Sequence, residues 1–415
     1  MDDAQAVESS VVTELRLSAF RSLRSTTVPV APVTLLSGPS GSGKSTVLEA
    51  YEALARLGCG EGLGEIFSGA RGGAAAYVPR RARADRNGRR GFRLGCSVDG
   101  PEGLVHCDLS VQVEPELRIA GERLRDGDGR LLLATGQRDP RQRIVQAEWR
   151  TSASGCVVRG QLPDDRLATA MLPLRVAGRT REQRRVLASA EQVVVALRSV
   201  FACDPRPATM RDPVAAGDGL LRGGCDNVAA VLRRARRERP DRHARLIETL
   251  RAGLAGPVAE LSADVAVEAD DRGLVRAVLD RGRGRGRTPL EWLGDGELRY
   301  TALALVLIAG RGVLEPAPDE ESQEEERPLT VLTDGLDRGL DLRQTGQLLT
   351  LAGRAGAHGS VRLMAAVSQP AAGLAPRGGP VTRAEAKVPR PRTGAVDGAG
   401  EPCGAPGVCL VDLGA

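Results

Sequence analysis

The chain has 415 residues, enough to bury a large core as one discontinuous domain or as two. With 41% hydrophobic and 27% charged residues it has an ordinary globular composition, and its longest apolar run, Thr301 to Gly310, is too short to cross a bilayer. A formal charge of +5 allows a polyanionic partner without requiring one, and 2% aromatics leave few platforms for stacking bases.

In chain order, the acidic start Met1-Asp2-Asp3 is unlike a secretory signal, so a cytoplasmic location with no membrane contact is expected. Residues 11 to 30 read as two strands. Val12, Leu15, Leu17 and Phe20 are the apolar positions, a turn lies at Arg21 to Ser25, and Thr26 to Val30 pairs back. Val33 to Leu36 is a short apolar run of the kind a buried strand makes. It breaks into Gly38-Pro39-Ser40-Gly41-Ser42-Gly43-Lys44-Ser45, followed by Thr46, which fits G-x-x-x-x-G-K-[ST] at every fixed position.

That spacing has a chemical reason. Glycines let successive backbone N–H groups turn inward around phosphate oxygens, and the following helix adds the positive end of its dipole. Lys44 has the reach for the β- and γ-phosphates, and the Ser45 hydroxyl suits a magnesium ion bridging them. An accidental Gly/Ser turn is the bland alternative in a chain with 51 glycines. Against it, Lys44 is one of only two lysines, the other being Lys387. Val47, Leu48, Tyr51, Leu54 and Ala55 then recur at helical spacing up to Gly58. The expected ligand is ATP with Mg2+.

Residues 59 to 91 are Gly- and Arg-rich without periodicity and read as a flexible excursion. From Phe92 to Trp149, alternating segments separated by turn signals predict an antiparallel sheet. Residues 160 to 255 turn helical. Val186, Leu187, Ala190, Val193, Val194 and Leu197 share one face, Asp226 is a candidate N-cap for the next helix, and a third helix spans Arg242 to Ala252. Strands are predicted around Val265 to Glu268 and Leu274 to Leu279. The stretch LGDGELRYTALALVLIAG then reads as a loop opening onto a buried helix, and residues 316 to 327 as an acidic surface loop. Leu329 to Thr333 is an apolar strand ending in Asp334, the residue type that holds magnesium opposite a phosphate loop. A helix from Leu340 to Ala355 and a strand from Val361 to Val367 follow. Beyond Pro370 the composition favours an unstructured tail, with a last strand at Val408 to Leu413.

Eight scattered cysteines without a C-x-x-C pair and three histidines give no basis for a zinc site or a His-based triad. The Arg-rich stretches Arg80 to Arg93, Arg233 to Arg242 and Arg281 to Arg287 leave two readings open: a surface for nucleic-acid phosphates, or solvated loops and helix faces.

The order of LRLSAFRSLRSTTVPVAPVTLLSGPSGSGKST, GGCDNVAAVL, LGDGELRYTALAL, TDGLDRGLD and VRLMAAVSQP resembles the RecF/SMC/OLD-type ATPases, over residues 13 to about 370. The resemblance implies an α/β P-loop NTPase head of the ABC type, with a mixed core sheet, an antiparallel β subdomain and a helical insertion. It places the phosphate loop and the Asp-ending strand on neighbouring β–α units. It divides the chain into an N-terminal part of the head (1–158), a helical insertion (159–256) and a C-terminal part (257–415) with a Gly/Pro-rich tail from 371.

It also implies an ATPase working as an ATP-sandwiched homodimer, with Lys44 and Asp334 catalytic, Ser45 and Asp334 on Mg2+, and DNA as a candidate partner. Gly294, Asp295, Gly296 and Glu297 match the signature loop that touches the other subunit's ATP, though Gly294 stands where Ser is usual. Arg21 matches a position near the nucleotide, or is simply an exposed Arg in a strand turn. The family's water-polarising Glu after the magnesium Asp is replaced by Gly335, and Ser368 is the nearest match to its switch His. Loss of a positioned base typically costs about a hundred- to ten-thousandfold. Asp337 and Asp341 are substitutes only if they are more than solvated loop carboxylates. ATP binding as a conformational switch without turnover is therefore the alternative to slow hydrolysis. Neither lysine follows an Asn, as a guanine-nucleotide switch would require, and no heptad pattern persists as an SMC coiled coil would.

Overall fold

The alternation of apolar and polar residues from Val11 onward is what a half-buried strand requires, and it sets the first of three sheets. A computed structural model of the chain describes residues 9–136, 142–150, 156–265, 273–315, 327–368, 381–385 and 408–414. The first part contains β1 (Val11–Phe20), β2 (Leu23–Pro29), β3 (Val33–Ser37), α1 (Lys44–Gly58) and α2 (Leu63–Phe67). It continues through β4 (Arg90–Asp99), β5 (Val105–Glu114), β6 (Arg118–Asp126), β7 (Leu131–Gly136), β8 (Ile144–Arg150) and β9 (Val157–Pro163). Next come α3 (Ala168–Met171), α4 (Arg181–Arg198), β10 (Val200–Ala202), α5 (Pro207–Met210), β11 (Val214–Ala215), α6 (Val228–Glu238) and α7 (Pro240–Gly253). The remainder is β12 (Glu260–Val265), β13 (Leu274–Asp280), β14 (Arg287–Pro289), α8 (Asp295–Ala309), β15 (Leu329–Thr333), α9 (Leu342–Ala357), β16 (Val361–Ala366), β17 (Val381–Glu385) and β18 (Val408–Asp412).

These elements form two compact units. The first is Met1–Val30, Gly41–Val200 and Ala384–Cys403; the second is Ala31–Ser40, Phe201–Arg383 and Gly404–Ala415. The helices between residues 159 and 256 are thus shared out, α3 and α4 to the first unit and α5 to α7 to the second.

In the first unit, eight antiparallel strands run in the order β2-β1-β4-β5-β6-β7-β8-β9. Helices α1 and α4 pack together and on this sheet, α1 through Val47, Leu48, Tyr51 and Leu54 and α4 through Val186, Ala190, Val193 and Leu197. The Gly/Arg-rich segment 59–91 is not the featureless excursion its composition suggests. It contains α2, and Phe67 and Tyr77 join Phe20 and Phe92 in a cluster with ring centroids 4.9 to 6.3 Å apart. Each such pair contributes about 0.5–1.5 kcal/mol beyond area burial. Three or four apolar residues, too widely spaced to show a period, are enough to pin the segment.

In the second unit the sheet order is β10-β15-β16-β3-β18-β17, with β15, β16, β3 and β18 mutually parallel. Their runs are buried on both faces and mostly apolar, with Thr34, Thr330, Thr333 and Arg362 the buried exceptions in β3, β15 and β16. Helix α8 is buried on nearly every side between α7 and α9, which explains the largely apolar run from Tyr300 to Ala309. The last strand docks as expected, Leu410 level with Leu35. A smaller sheet orders β11-β13-β12, with β14 on β13.

Three local expectations change. Asn227, not Asp226, is the N-cap residue of α6, while Asp226 pairs with Arg222. The strand expected at 265–268 is β12, shifted toward the N-terminus, and 266–272 lie outside the described residues. The acidic loop at 316–326 and most of the tail also lie outside them. Among the described residues no helix is long and apolar enough to cross a membrane.

Candidate nucleotide-binding site

The phosphate loop leaves the carboxyl end of β3. Gly38, Gly41 and Gly43 have φ of 137°, 87° and 103°, a backbone path that side-chain-bearing residues rarely take. Gly43 is the N-cap of the 15-residue α1 and offers no side-chain cap, so the positive end of the helix dipole opens toward this loop. A Cβ on Gly41 would meet nothing within 4 Å, and Ser42 Oγ is buried with no hydrogen-bond partner among the described residues. Pro39, Ser40 and Ser45 are exposed, Lys44 is half-buried, and Thr46 is buried at the base of the helix.

Within the second unit, Asp334 follows β15 at the same edge of the sheet as the end of β3. The two strands are not neighbours. β16 lies between them, so the strand ends stand two interstrand spacings apart, roughly 10 Å. The register places Thr333, Ala365 and Leu35 in one rank, so Asp334 comes one residue further along, level with Leu36. The inserted strand corrects the expectation of adjacent β–α units. It is a consequence of parallel crossovers, which let a strand later in sequence slot between two earlier ones. Thr333 Oγ1 is a second buried hydroxyl without a partner among the described residues.

The loop after Asp334 is held tightly. Leu336 N–H donates to Ala366 O at 2.9 Å, and the buried Arg299 of α8 donates to Gly335 O (3.1 Å), Pro205 O (2.7 Å) and Asp204 Oδ1 (3.1 Å). Gly335 has φ of 70°, and a Cβ there would lie 3.1 Å from Nε and Nη2 of Arg338. A guanidinium therefore stands over the position where the family's carboxylate would project. Asp337 is not a solvated carboxylate. It is 6% exposed, and both its oxygens accept from the Ser368 N–H at 3.0 Å. Asp341 caps α9 by accepting from the Gln344 N–H at 2.7 Å.

The signature-like turn opens α8. Glu297 turns back to accept from the Gly294 N–H (3.2 Å), a side-chain bond that caps this helix start, and pairs with Arg281 at 3.4 Å. Arg211 braces the turn through Glu291 O (3.1 Å), Leu293 O (3.0 Å) and Asp295 Oδ1 (2.7 Å), while the Asp295 side chain stays 71% exposed. A Cβ on Gly296 would fall 2.1 Å from Gly339 O. This turn and the loop after Asp334 therefore touch backbone to backbone.

Arg21 sits in the β1–β2 turn with φ of 51°. Its guanidinium binds the Glu49 carboxylate of α1 at 2.7 Å and lies 4.5 Å over the Tyr77 ring. Burial and the nearby Glu49 push the Tyr77 phenol upward, with Arg21 opposing. Arg211 and Arg299 escaped the sequence reading because nothing distinguishes them from the other arginines until the fold brings them beside these loops, and Arg338 because only the turn at Gly335 sets its guanidinium over that residue.

The donor set fits a magnesium-bound nucleoside triphosphate. Left-handed glycines at an uncapped helix N-terminus leave a cradle that Cβ atoms would close, and an orphaned hydroxyl lies in the loop itself. Lys44 and the loop amides are groups suited to phosphate oxygens, and the Ser45 hydroxyl in the first unit and the Asp334 carboxylate in the second are each, taken singly, hard oxygen donors of the kind magnesium prefers. When bound, the ion would neutralise charge between the β- and γ-phosphates.

No protein-family model and no curated relative matches the chain. Solved structures similar to it include an SMC head bound to the C-winged helix domain of ScpA, 14% identical, covering 86% of this chain and 90% of that chain with a TM-score of 0.48. The SMC head domain from Thermotoga maritima is 14% identical over 86% and 89%, with a TM-score of 0.38. The recombination mediator protein RecF is 12% identical over 88% and 94%, with a TM-score of 0.36.

Proposed function

We propose that this chain is an ATP-binding head of the SMC/RecF kind, in which Gly38 to Thr46 hold the phosphates and Ser45 and Asp334 hold Mg2+. The glycine loop leading to an uncapped α1, with Ser42 Oγ unpartnered inside it, is the observation that carries this reading. Lys44 and the loop amides oppose the charge that develops as the γ-phosphoryl group passes to water. Turnover is slow, because no carboxylate stands after Asp334. The active form is a homodimer in which Gly294, Asp295 and Gly296 of one protomer reach the ATP of the other, with Arg21 near the nucleotide. Residues 1–158 and 257–415 form the head around an insertion at 159–256, and DNA is the partner.

A second reading, ATP as a conformational ligand without turnover, is favoured by one observation: Arg338 stands over Gly335, whose left-handed backbone disfavours any side chain. Phosphate release from the wild type and Asp334→Ala decides between the two. Equal rates leave the switch, and a wild-type rate well above the mutant's establishes the ATPase. Undiminished ATP affinity in Lys44→Ala would overturn both.

A further inference from the structure

We propose that a cleft in the first unit, between β7, β8 and the start of α4, docks the phosphate backbone of a nucleic-acid duplex. The cleft has a volume of about 830 Å³ and is lined by Arg130, Arg150, Arg181, Arg184 and Arg185, against Glu102 and Glu182. Arg185 is tied to the buried Asp126 at 3.0 Å. The other four guanidiniums have no carboxylate partner among the described residues. Elsewhere the chain pairs its arginines readily, as Arg16, Arg56 and Arg222 show.

The Arg-rich stretches of the sequence behave differently. Arg234 and Arg242 are committed to the carbonyls of Glu315, Gly312 and Ala309, Arg281 to Glu297, and Arg287 to Asp264. These consecutive arginines are thus partly committed to the fold, and the uncommitted ones, such as Arg283 and Arg285, do not line this cleft. Arginines dispersed from 130 to 185 are the ones that converge unpaired in a concavity, where their fields add. Three of them lie on the first turns of α4, where the helix dipole disfavours cations, a cost that no carboxylate among the described residues offsets for Arg181 and Arg184.

The chemistry of the cleft selects its ligand. Small-molecule sites are mostly apolar, whereas this lining is mainly charged. No aromatic residue lines it, so it lacks the stacking surface that single strands require. A duplex presents about one negative charge per 1.7 Å of axis, the density that several unpaired guanidiniums match, and it is read here without regard to base sequence. The site deepens the DNA reading proposed above and is independent of ATP binding.

The test is fluorescence anisotropy of a labelled 20-base-pair DNA duplex with the full chain, titrated at several salt concentrations. Arg181→Ala/Arg184→Ala and Arg130→Ala/Arg150→Ala should each reduce the slope of log affinity on log salt by about 2, equally for two unrelated sequences. Arg181→Lys/Arg184→Lys should restore the slope, which a packing defect would not. Arg283→Ala/Arg285→Ala should leave the slope closer to wild type than either cleft pair. If the cleft pairs bind like wild type while the 283/285 pair does not, the cleft is wrong and the DNA reading stands. If wild type binds no duplex, both fail. If polyglutamate of equal charge displaces the duplex as well as unlabelled DNA does, the site takes acidic protein and the proposal is overturned. Lys44→Ala should bind duplex normally, which separates this result from the nucleotide site.

Discussion

The loops after β3 and β15 leave the same edge of one parallel sheet, and each begins with a glycine at positive φ, Gly38 and Gly335. They use it in opposite ways. After β3 one glycine, Gly41, faces nothing within 4 Å, Gly43 packs against Leu23, and a helix N-terminus follows. After β15 the space is filled: Arg338 lies over Gly335, Arg299 holds its carbonyl, and Asp337 ties the next loop through Ser368. One strand end leaves open space beside a helix N-terminus, and the other is held by side-chain contacts. Phosphate binding needs the first, and water activation would need a free carboxylate at the second.

Substitutions at the held end should cost the most stability. Arg299→Met should destabilise the fold by about 2 kcal/mol, since it leaves the buried Pro205 carbonyl without its side-chain donor, while Gly335 O keeps the Arg338 N–H. The urea midpoint reads this, and a change below about 1 kcal/mol would show the loop to be held by something else. At the open end the loss should fall on binding instead. Lys44→Ala should weaken ATP about a hundredfold by calorimetry while barely moving the urea midpoint.

Gly296→Ala should cost about 1–3 kcal/mol, because its Cβ would overlap Gly339 O, and should lower the melting temperature. Gly296 is therefore unsuitable for testing dimerisation. Asp295→Ala, exposed and outside the close approach, should leave the fold within about 0.5 kcal/mol, and abolished ATP-dependent dimerisation on sedimentation would support the cross-subunit role. Asp337→Asn should cost about 1 kcal/mol through a weakened bond to the Ser368 amide, read by the same denaturation curve. The smallest effect on turnover is expected of Gly335→Glu, which should strain the turn yet leave phosphate release unchanged. A tenfold gain would mean that the backbone and Arg338 give way, and that only the carboxylate was missing.

Much of this was legible beforehand where the code is local. Alternation from Phe92 to Trp149 predicted an antiparallel sheet, and the spacing from Gly38 to Ser45 predicted a loop and helix. The segment 59–91 was misread because Phe67 and Tyr77 acquire meaning only through Phe20 and Phe92, far away in sequence. Asp337 looked solvated for the same reason. Its partner, Ser368, is brought to it by a strand two elements later.

The sequence by itself determined the phosphate loop, the helix behind it and the apolar strand ending in Asp334, because torsional freedom, dipole and side-chain reach are properties of neighbouring residues. Tertiary structure alone decided that β16 would come between the two strand ends, that Arg299 would reach the Gly335 carbonyl, and that four dispersed arginines would share one cleft. Those outcomes depend on which distant segments pack together, and packing selects among arginines that are chemically alike in the chain.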